Sequence, residues 1–200
     1  MNQTQQEKTK YEQVWSHNQY RNFSPGLAAI TQQPVAQLLG YKTTVLDVGC
    51  GSGKASQRLI ELGYKVSGFD IADNCLDRDA KEAFGFRFYQ GCIWEDLGKV
   101  PKHHAVFCTD LMEHLPTDRV HDSLVAMREV CTHGVFLGIA LFADGFGPKL
   151  LGTPLHLTVK PYQWWLAEIA SAGLDVTYFA VDNRGPGWFY CFAQKEPTWG

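Results

Sequence analysis

The chain has 200 residues, 45% of them hydrophobic and 20% charged, with a formal net charge of -3. That length suits one domain that buries a core without metal or disulfide support, and an aromatic content of 13% excludes a disordered chain. The slightly acidic balance excludes a nucleic-acid binder that relies on a basic face, and no apolar run approaches the roughly 18 residues of a membrane helix.

In chain order, the polar start MNQTQQEKTK lacks the apolar stretch of a secretory signal. Residues 1–40 read as a helical arm or lid carrying Tyr11, Trp15, Tyr20, Arg21 and Phe23, and residues 41–200 as the main domain. Strand-like runs follow at Thr44–Val48, Lys65–Asp70, Phe86–Gln90, Ala105–Thr109, Gly134–Phe142, Leu174–Val181 and Trp188–Gln194. Helical stretches separate most of them. Ala55 to Leu62 ends at Gly63, a residue suited to a helix C-terminus. Thr117 is placed to cap a helix whose apolar stripe is Val120, Leu124, Met127 and Cys131. Pro161 opens a helix with a stripe of Tyr162, Trp165, Leu166, Ile169 and Ala170, and Gly173 stops it. His103-His104 reads as a solvated turn before the fourth strand. Between the last two strands lies only the turn Asn183 to Gly187, so those strands should be antiparallel. The result is an α/β, Rossmann-like, doubly wound sheet of seven strands, mostly parallel with an antiparallel last strand.

The six cysteines have no C-x-x-C spacing and read as reduced thiols, which points to a cytoplasmic protein. The seven histidines show no zinc spacing, so no metal site is expected.

Val45 to Gly53 runs from a buried strand into three glycines at alternate positions, Gly49, Gly51 and Gly53. Glycines there allow a sharp turn and close approach of a ligand. A P-loop fails, because Val48 and Ala55 stand where it needs Gly and Ser or Thr. A dinucleotide fingerprint wants G-x-G-x-x-G, whereas the spacing here is G-x-G-x-G. Alone, the loop is equally a tight turn without ligand. It is not alone: Asp47 precedes it, Asp70 ends the next strand where an acid reaches a ribose, and Asp110 to Pro116 follows the fourth strand.

Val45–Gly53, Phe69-Asp70 and the Asp110–Pro116 segment, a D-x-x-E-H-L-P run, together resemble the class I S-adenosylmethionine-dependent methyltransferases, over roughly residues 40 to 195. The resemblance implies S-adenosyl-L-methionine as cofactor. It implies that Gly49 and Gly51 line the methionine end, that Asp47 holds its ammonium and that Asp70 holds the ribose hydroxyls. Cys50, Gly53, Ile71 and Thr109 would border the same ligand. Gly91-Cys92-Ile93 matches the family's G-D-A turn near adenine, with Cys92 in place of the acid and Ile93 or Trp94 beside the ring. In similar enzymes the arm packs over the cofactor, with Arg21 placed to meet its carboxylate.

Such a reaction is an in-line displacement in which positioning supplies about 7–11 kcal/mol. A hydroxyl acceptor also benefits from a base, for which His114 and His156 are the candidates, with Asp110 and Glu113 behind them. Phe142 to Leu155, rich in glycine, reads as a mobile loop over the acceptor. The expected activity is methyl transfer to oxygen or nitrogen of a small-molecule acceptor, without nucleic-acid or membrane partners and with oligomeric state open. The rival readings are an NAD-dependent oxidoreductase and a non-catalytic S-adenosylmethionine-binding partner subunit.

Overall fold

Along the central strands apolar side chains fall on both faces with period two, which a sheet covered by helices on both sides requires. In the computed structural model, which describes residues 2–83, 87–183 and 187–195, the strands are β1 (Thr44–Val48), β2 (Lys65–Asp70), β3 (Arg87–Gln90), β4 (His103–Thr109), β5 (Cys131–Ala140), β6 (Leu174–Asp182) and β7 (Trp188–Lys195). Their order is β3-β2-β1-β4-β5-β7-β6. All neighbours from β3 to β5 are parallel, and β7 runs antiparallel to both β5 and β6, as expected. The order reverses direction between β1 and β4, and a crevice opens beyond the carboxyl ends of those strands.

The helices are α1 (Gln3–Trp15), α2 (Asn18–Arg21), α3 (Pro25–Gln32), α4 (Val35–Leu38), α5 (Lys54–Glu61), α6 (Arg78–Ala83), α7 (Ile93–Asp96), α8 (Val120–Val130), α9 (Phe146–Leu150) and α10 (Tyr162–Ser171). Val106 and Cys108 of β4, with Val135, Leu137 and Ile139 of β5, pack under α7, α8 and α10. The alternate residues Ala105, Phe107 and Phe136 pack under α3, α4 and α5. Phe107 and Phe136 stack with centroids 5.4 Å apart, and burying each contributes about 1.5–3 kcal/mol. A third cluster joins Trp15 to Cys50, Cys75, Leu76 and Ala80. The first forty residues thus divide by where they pack: α3 and α4 belong to a main core, while α1 and α2 lie at the crevice.

Several boundaries differ from expectation. His103 is the first residue of β4, not a solvated turn. It is buried, with its ring bonded to the Pro101 carbonyl (2.7 Å) and the Ser67 hydroxyl (3.0 Å), and it is registered to Cys131. Cys131 accordingly starts β5 rather than continuing the stripe of α8; its spacing fits both roles, and strand pairing decides. Thr117 caps nothing: its hydroxyl bonds Thr158 (2.9 Å), and a single 3-10 turn over Thr117–Arg119 leads into α8. On α10, Trp165 and Ile169 are buried but Ala170 is exposed, so the buried stripe is narrower than the sequence suggests. Phe86 and Arg184 to Pro186 of the expected third strand and last turn lie outside the described residues. Among the described residues no helix is long and apolar enough to cross a membrane.

Candidate functional site

Val48, the last residue of β1, is in register with Phe69 of β2, and the amides of Gly49 and Cys50 both donate to the Phe69 carbonyl (2.7 and 3.2 Å). This folds the glycine loop over the end of β2. Gly49 and Gly51 have φ of 74° and 51°, a region glycine enters without steric cost. Space demands glycine as well. A Cβ on Gly51 would lie 2.6 Å from the Trp15 ring, and one on Gly49 would lie 3.0 Å from Leu111.

Two buried carboxylates flank the loop. Asp70 accepts the amides of Gly51 and Ala72, both at 3.0 Å. Burial pushes its pKa up to about 6 against the pull of those amides. Asp47 accepts the Ser56 hydroxyl; burial pushes its pKa up to about 7, and the charge of Asp70 adds to the rise. Each carboxylate oxygen keeps a further lone pair for a donor in the crevice.

The crevice is lined by Gly49, Asp70, Ile71, Cys92, Ile93 and Trp94 on the sheet side. From the β4 loop come Asp110, Leu111 and His114, and from the arm Glu7, Tyr11, Trp15 and Tyr20. A second hollow adjoins it, sharing Gly49, Trp15, Tyr20 and Asp110, and is lined further by Asp47, Cys50, Gly51 and Thr109. Of the candidate cofactor residues, two line neither. Gly53 is the N-cap of α5, where a Cβ would meet Ala80 at 2.8 Å. Arg21, expected at the cofactor carboxylate, instead pairs with Asp77 (3.0 Å), donates to the carbonyls of Cys75 (2.8 Å) and Asn74, and lies over Trp15. At the expected adenine turn, burial pushes the Cys92 thiol up to about 11, and the Cys92 amide is held by Asp96 (2.9 Å).

The arm covers the crevice through specific contacts. Thr4 donates to Glu95 (2.5 Å), Asn74 donates to the Glu12 carbonyl (2.9 Å), and the Tyr11 hydroxyl bonds Nδ1 of His114 (2.9 Å). Tyr11 and Trp15 were legible as aromatic lid residues; Glu7, a surface-type residue on a helix, gave no signal.

The acceptor-side candidates converge. Asp110 turns the chain out of β4 with φ of 59°, a conformation Asp tolerates better than most residues. A 3-10 turn over Met112–His114 follows. Oε1 of Glu113 accepts the Ala140 amide (2.8 Å), and its backbone carbonyl accepts the amides of Leu157 and Thr158 (2.8 and 2.9 Å). That clamp brings His156 to His114, ring centroids 4.7 Å apart and edge to face. Residues 142–155, expected as a mobile loop, contain α9 and are tied by Asp144, which accepts the amides of Gly147, Leu155 and His156 (2.6, 2.7 and 3.1 Å). His156 Nδ1 bonds the Phe142 carbonyl at 2.6 Å; a carbonyl only accepts, so Nδ1 carries the proton and Nε2 keeps its lone pair. Burial, then the neighbouring His114, holds the His156 pKa below its usual value. Burial, then the charge of Asp110, holds Glu113 well above the usual carboxylate range. Sequence spacing showed no metal pattern, yet the fold gathers one donor atom each from Asp110, Glu113, His114 and His156 within 4.8 Å of one another. A cavity of about 320 Å³, lined by Phe142, Asp144, Phe146, Leu155 and His156, meets the crevice at Tyr20, Asp110 and His114.

Residues 45–134 match a methyltransferase domain family. A ubiquinone biosynthesis O-methyltransferase of Nitrosospira multiformis is 37% identical over 78 residues, 36% of this chain and 32% of that protein. A magnesium-protoporphyrin O-methyltransferase of Synechocystis is 27% identical over 112 residues, 54% of this chain and 46% of that protein. The chain therefore matches between about a third and a half of the length of these curated relatives. Among solved structures, a TehB-like SAM-dependent methyltransferase from Corynebacterium glutamicum superposes with a TM-score of 0.66 at 19% identity, covering 94% of this chain and all 100% of that one. The Synechocystis magnesium protoporphyrin IX methyltransferase with bound SAM gives 0.63 at 16% identity, covering 98% and 85%. At such identities the superpositions speak for the fold.

Proposed function

We propose that the chain, whose residues 45–134 match a methyltransferase domain family, is a class I S-adenosylmethionine-dependent methyltransferase that methylates a hydroxyl oxygen of a small molecule, with S-adenosyl-L-methionine as donor. One observation carries this reading: the crevice beside Asp70 shares the lining residues Tyr20, Asp110 and His114 with the cavity beside His156. Donor and acceptor can therefore meet. A cavity of about 320 Å³ falls at the lower end of the range of small-molecule sites, roughly 300–1,000 Å³. The names of the Nitrosospira and Synechocystis relatives, both O-methyltransferases, support oxygen over nitrogen.

The residues present fit the cofactor. The loop at Gly49 and Gly51 leaves no room for a side chain. Asp47 and Asp70 are buried acids that a cationic ammonium and two hydroxyl donors would satisfy. Ile71, Cys92, Ile93 and Trp94 make a largely apolar border for the adenine. Cys50 and Thr109 border the adjoining hollow at the methionine end, and Gly53 and Arg21 support the walls. The cofactor supplies a methyl group on a sulfonium, whose carbon–sulfur bond breaks with the electron pair staying on sulfur. The chain holds donor and acceptor in line and prepares the acceptor hydroxyl through His114 and His156. Six free, buried cysteines support a reducing, cytoplasmic setting.

Thermal melts with S-adenosylhomocysteine, NAD and NADP test the reading. A ligand at 100 times its Kd stabilises by about 2.7 kcal/mol. S-adenosylhomocysteine alone should raise Tm; a rise with NAD or NADP instead would turn the reading toward an oxidoreductase.

A further inference from the structure

We propose that Asp110, Glu113, His114 and His156 bind one divalent cation of the manganese or zinc type, on which the acceptor docks through its hydroxyl oxygen. The four residues come from the loop after β4 and the segment after α9, and their donor atoms lie within 4.8 Å of one another.

A second observation shows that these side chains are incomplete as they stand. Oε2 of Glu113 and Nε2 of His114 are buried and have no hydrogen-bond partner, on residues only 0% and 4% exposed. Buried polar atoms are ordinarily satisfied, and orphans ask for a ligand. The other atoms of both residues are committed, Oε1 to the Ala140 amide and Nδ1 to the Tyr11 hydroxyl. What remains free is what a cation would take.

The surroundings are those of a ligand set. Each imidazole is held through Nδ1, by the Tyr11 hydroxyl or the Phe142 carbonyl, the outer contact that orients metal-binding histidines. Once deprotonated by metal binding, the two carboxylates would carry two negative charges, which one divalent cation balances. The ion-pair partner of Asp110 among the described residues is His114 itself, at 3.9 Å. Mixed nitrogen and oxygen donors without thiolate suit manganese or zinc rather than calcium or a soft cation. Asp110 and His114 line both the crevice and the acceptor cavity, so the cation would sit between them. There it would make a bound hydroxyl a stronger acid. A nitrogen that holds a cation cannot also take the hydroxyl proton, so with the cation bound His114 and His156 act as ligands, and the proton leaves to solvent water while the oxygen takes the methyl group. The role toward the acceptor rests on the methyl-transfer reading; the binding site itself does not.

The test is calorimetry on the full chain after dialysis against a chelator, titrated separately with manganese chloride and zinc chloride. One cation per chain should bind. Asp110→Asn, which keeps a residue tolerant of positive φ, and His156→Ala should each weaken binding at least about tenfold, with circular dichroism unchanged. His104→Ala, at the opposite end of β4, should bind as wild type does. If Asp110→Asn fails to fold, the half-buried His156 still decides. Failure of both cations to bind stoichiometrically, or equal affinity in His156→Ala, overturns the proposal. A parallel titration with S-adenosylhomocysteine separates the two readings. Loss of that binding beside intact cation binding overturns methyl transfer and leaves the metal site standing.

Discussion

The two walls of the crevice are built on opposite terms. On the β1–β2 side the two carboxylates and the loop amides are already bonded: Asp70 to two amides, Asp47 to Ser56, and the amides of Gly49 and Cys50 to Phe69. On the β4 side, Glu113 and His114 each bury an atom with no partner, and Asp110 faces them across a few ångströms. The first wall is complete and shaped to be met; the second is finished only by what it binds. Completed networks stabilise a fold, whereas unsatisfied polar atoms cost it stability and mark a working surface.

The strongest way to break this contrast is at the complete wall. Gly51→Val puts a branched side chain at φ of 51° and into Trp15, so S-adenosylhomocysteine binding should vanish from calorimetry and Tm should fall. Wild-type affinity in a folded variant would remove the glycine loop from the cofactor site. At the other wall, His156→Ala should lower kcat by about 100-fold or more on any acceptor the wild type turns over. The S-adenosylhomocysteine Kd should stay within about threefold, since that ring does not line the crevice. A matching loss of cofactor affinity would mean that the two walls are not separable.

Acidity probes the complete wall more gently. The pKa of Asp47 is raised by burial from 3.8 to about 7, so the folded chain holds a proton that the unfolded chain releases. That stability is full below about pH 4 and is lost as pH rises toward 7. Tm of the free protein should therefore drop between pH 5 and pH 8, and less so in Asp47→Asn. Cofactor affinity should run the other way, rising with pH as the carboxylate that meets the ammonium ionises; a flat profile for both would contradict this. The smallest effect is expected at Glu113→Gln in metal-free protein. Its amide can keep the Ala140 bond and donate to Asp110, removing a buried atom without a partner, so Tm should rise by the equivalent of about 1 kcal/mol. A fall in Tm would show that Oε2 is satisfied in solution.

How much of this was legible follows from where the groups lie in the chain. The β1 strand, the glycine turn and Asp70 sit within one strand–turn–helix–strand unit, whose backbone needs are written in residue types. The run from Asp110 to His114 was legible as a motif but not as a ligand set. Its fourth member, His156, arrives through the Glu113 carbonyl holding Leu157 and Thr158, with Asp144 bracing the approach. Neither contact has a periodicity to read. Arg21 shows the same limit: its charge suggested a ligand carboxylate, and Asp77 with two carbonyls claimed it.

By itself the sequence determined the seven-stranded sheet, the reversal of its last strand and the glycine turn between β1 and α5, because alternation and glycine spacing act over a few residues. Only the tertiary structure decided the rest. It set Trp15 on Gly51, made His103 a buried strand residue, tied down residues 142–155 and closed four donors into one cluster. Those outcomes depend on which distant surfaces fit and which buried atoms find partners, and that is settled by packing in three dimensions.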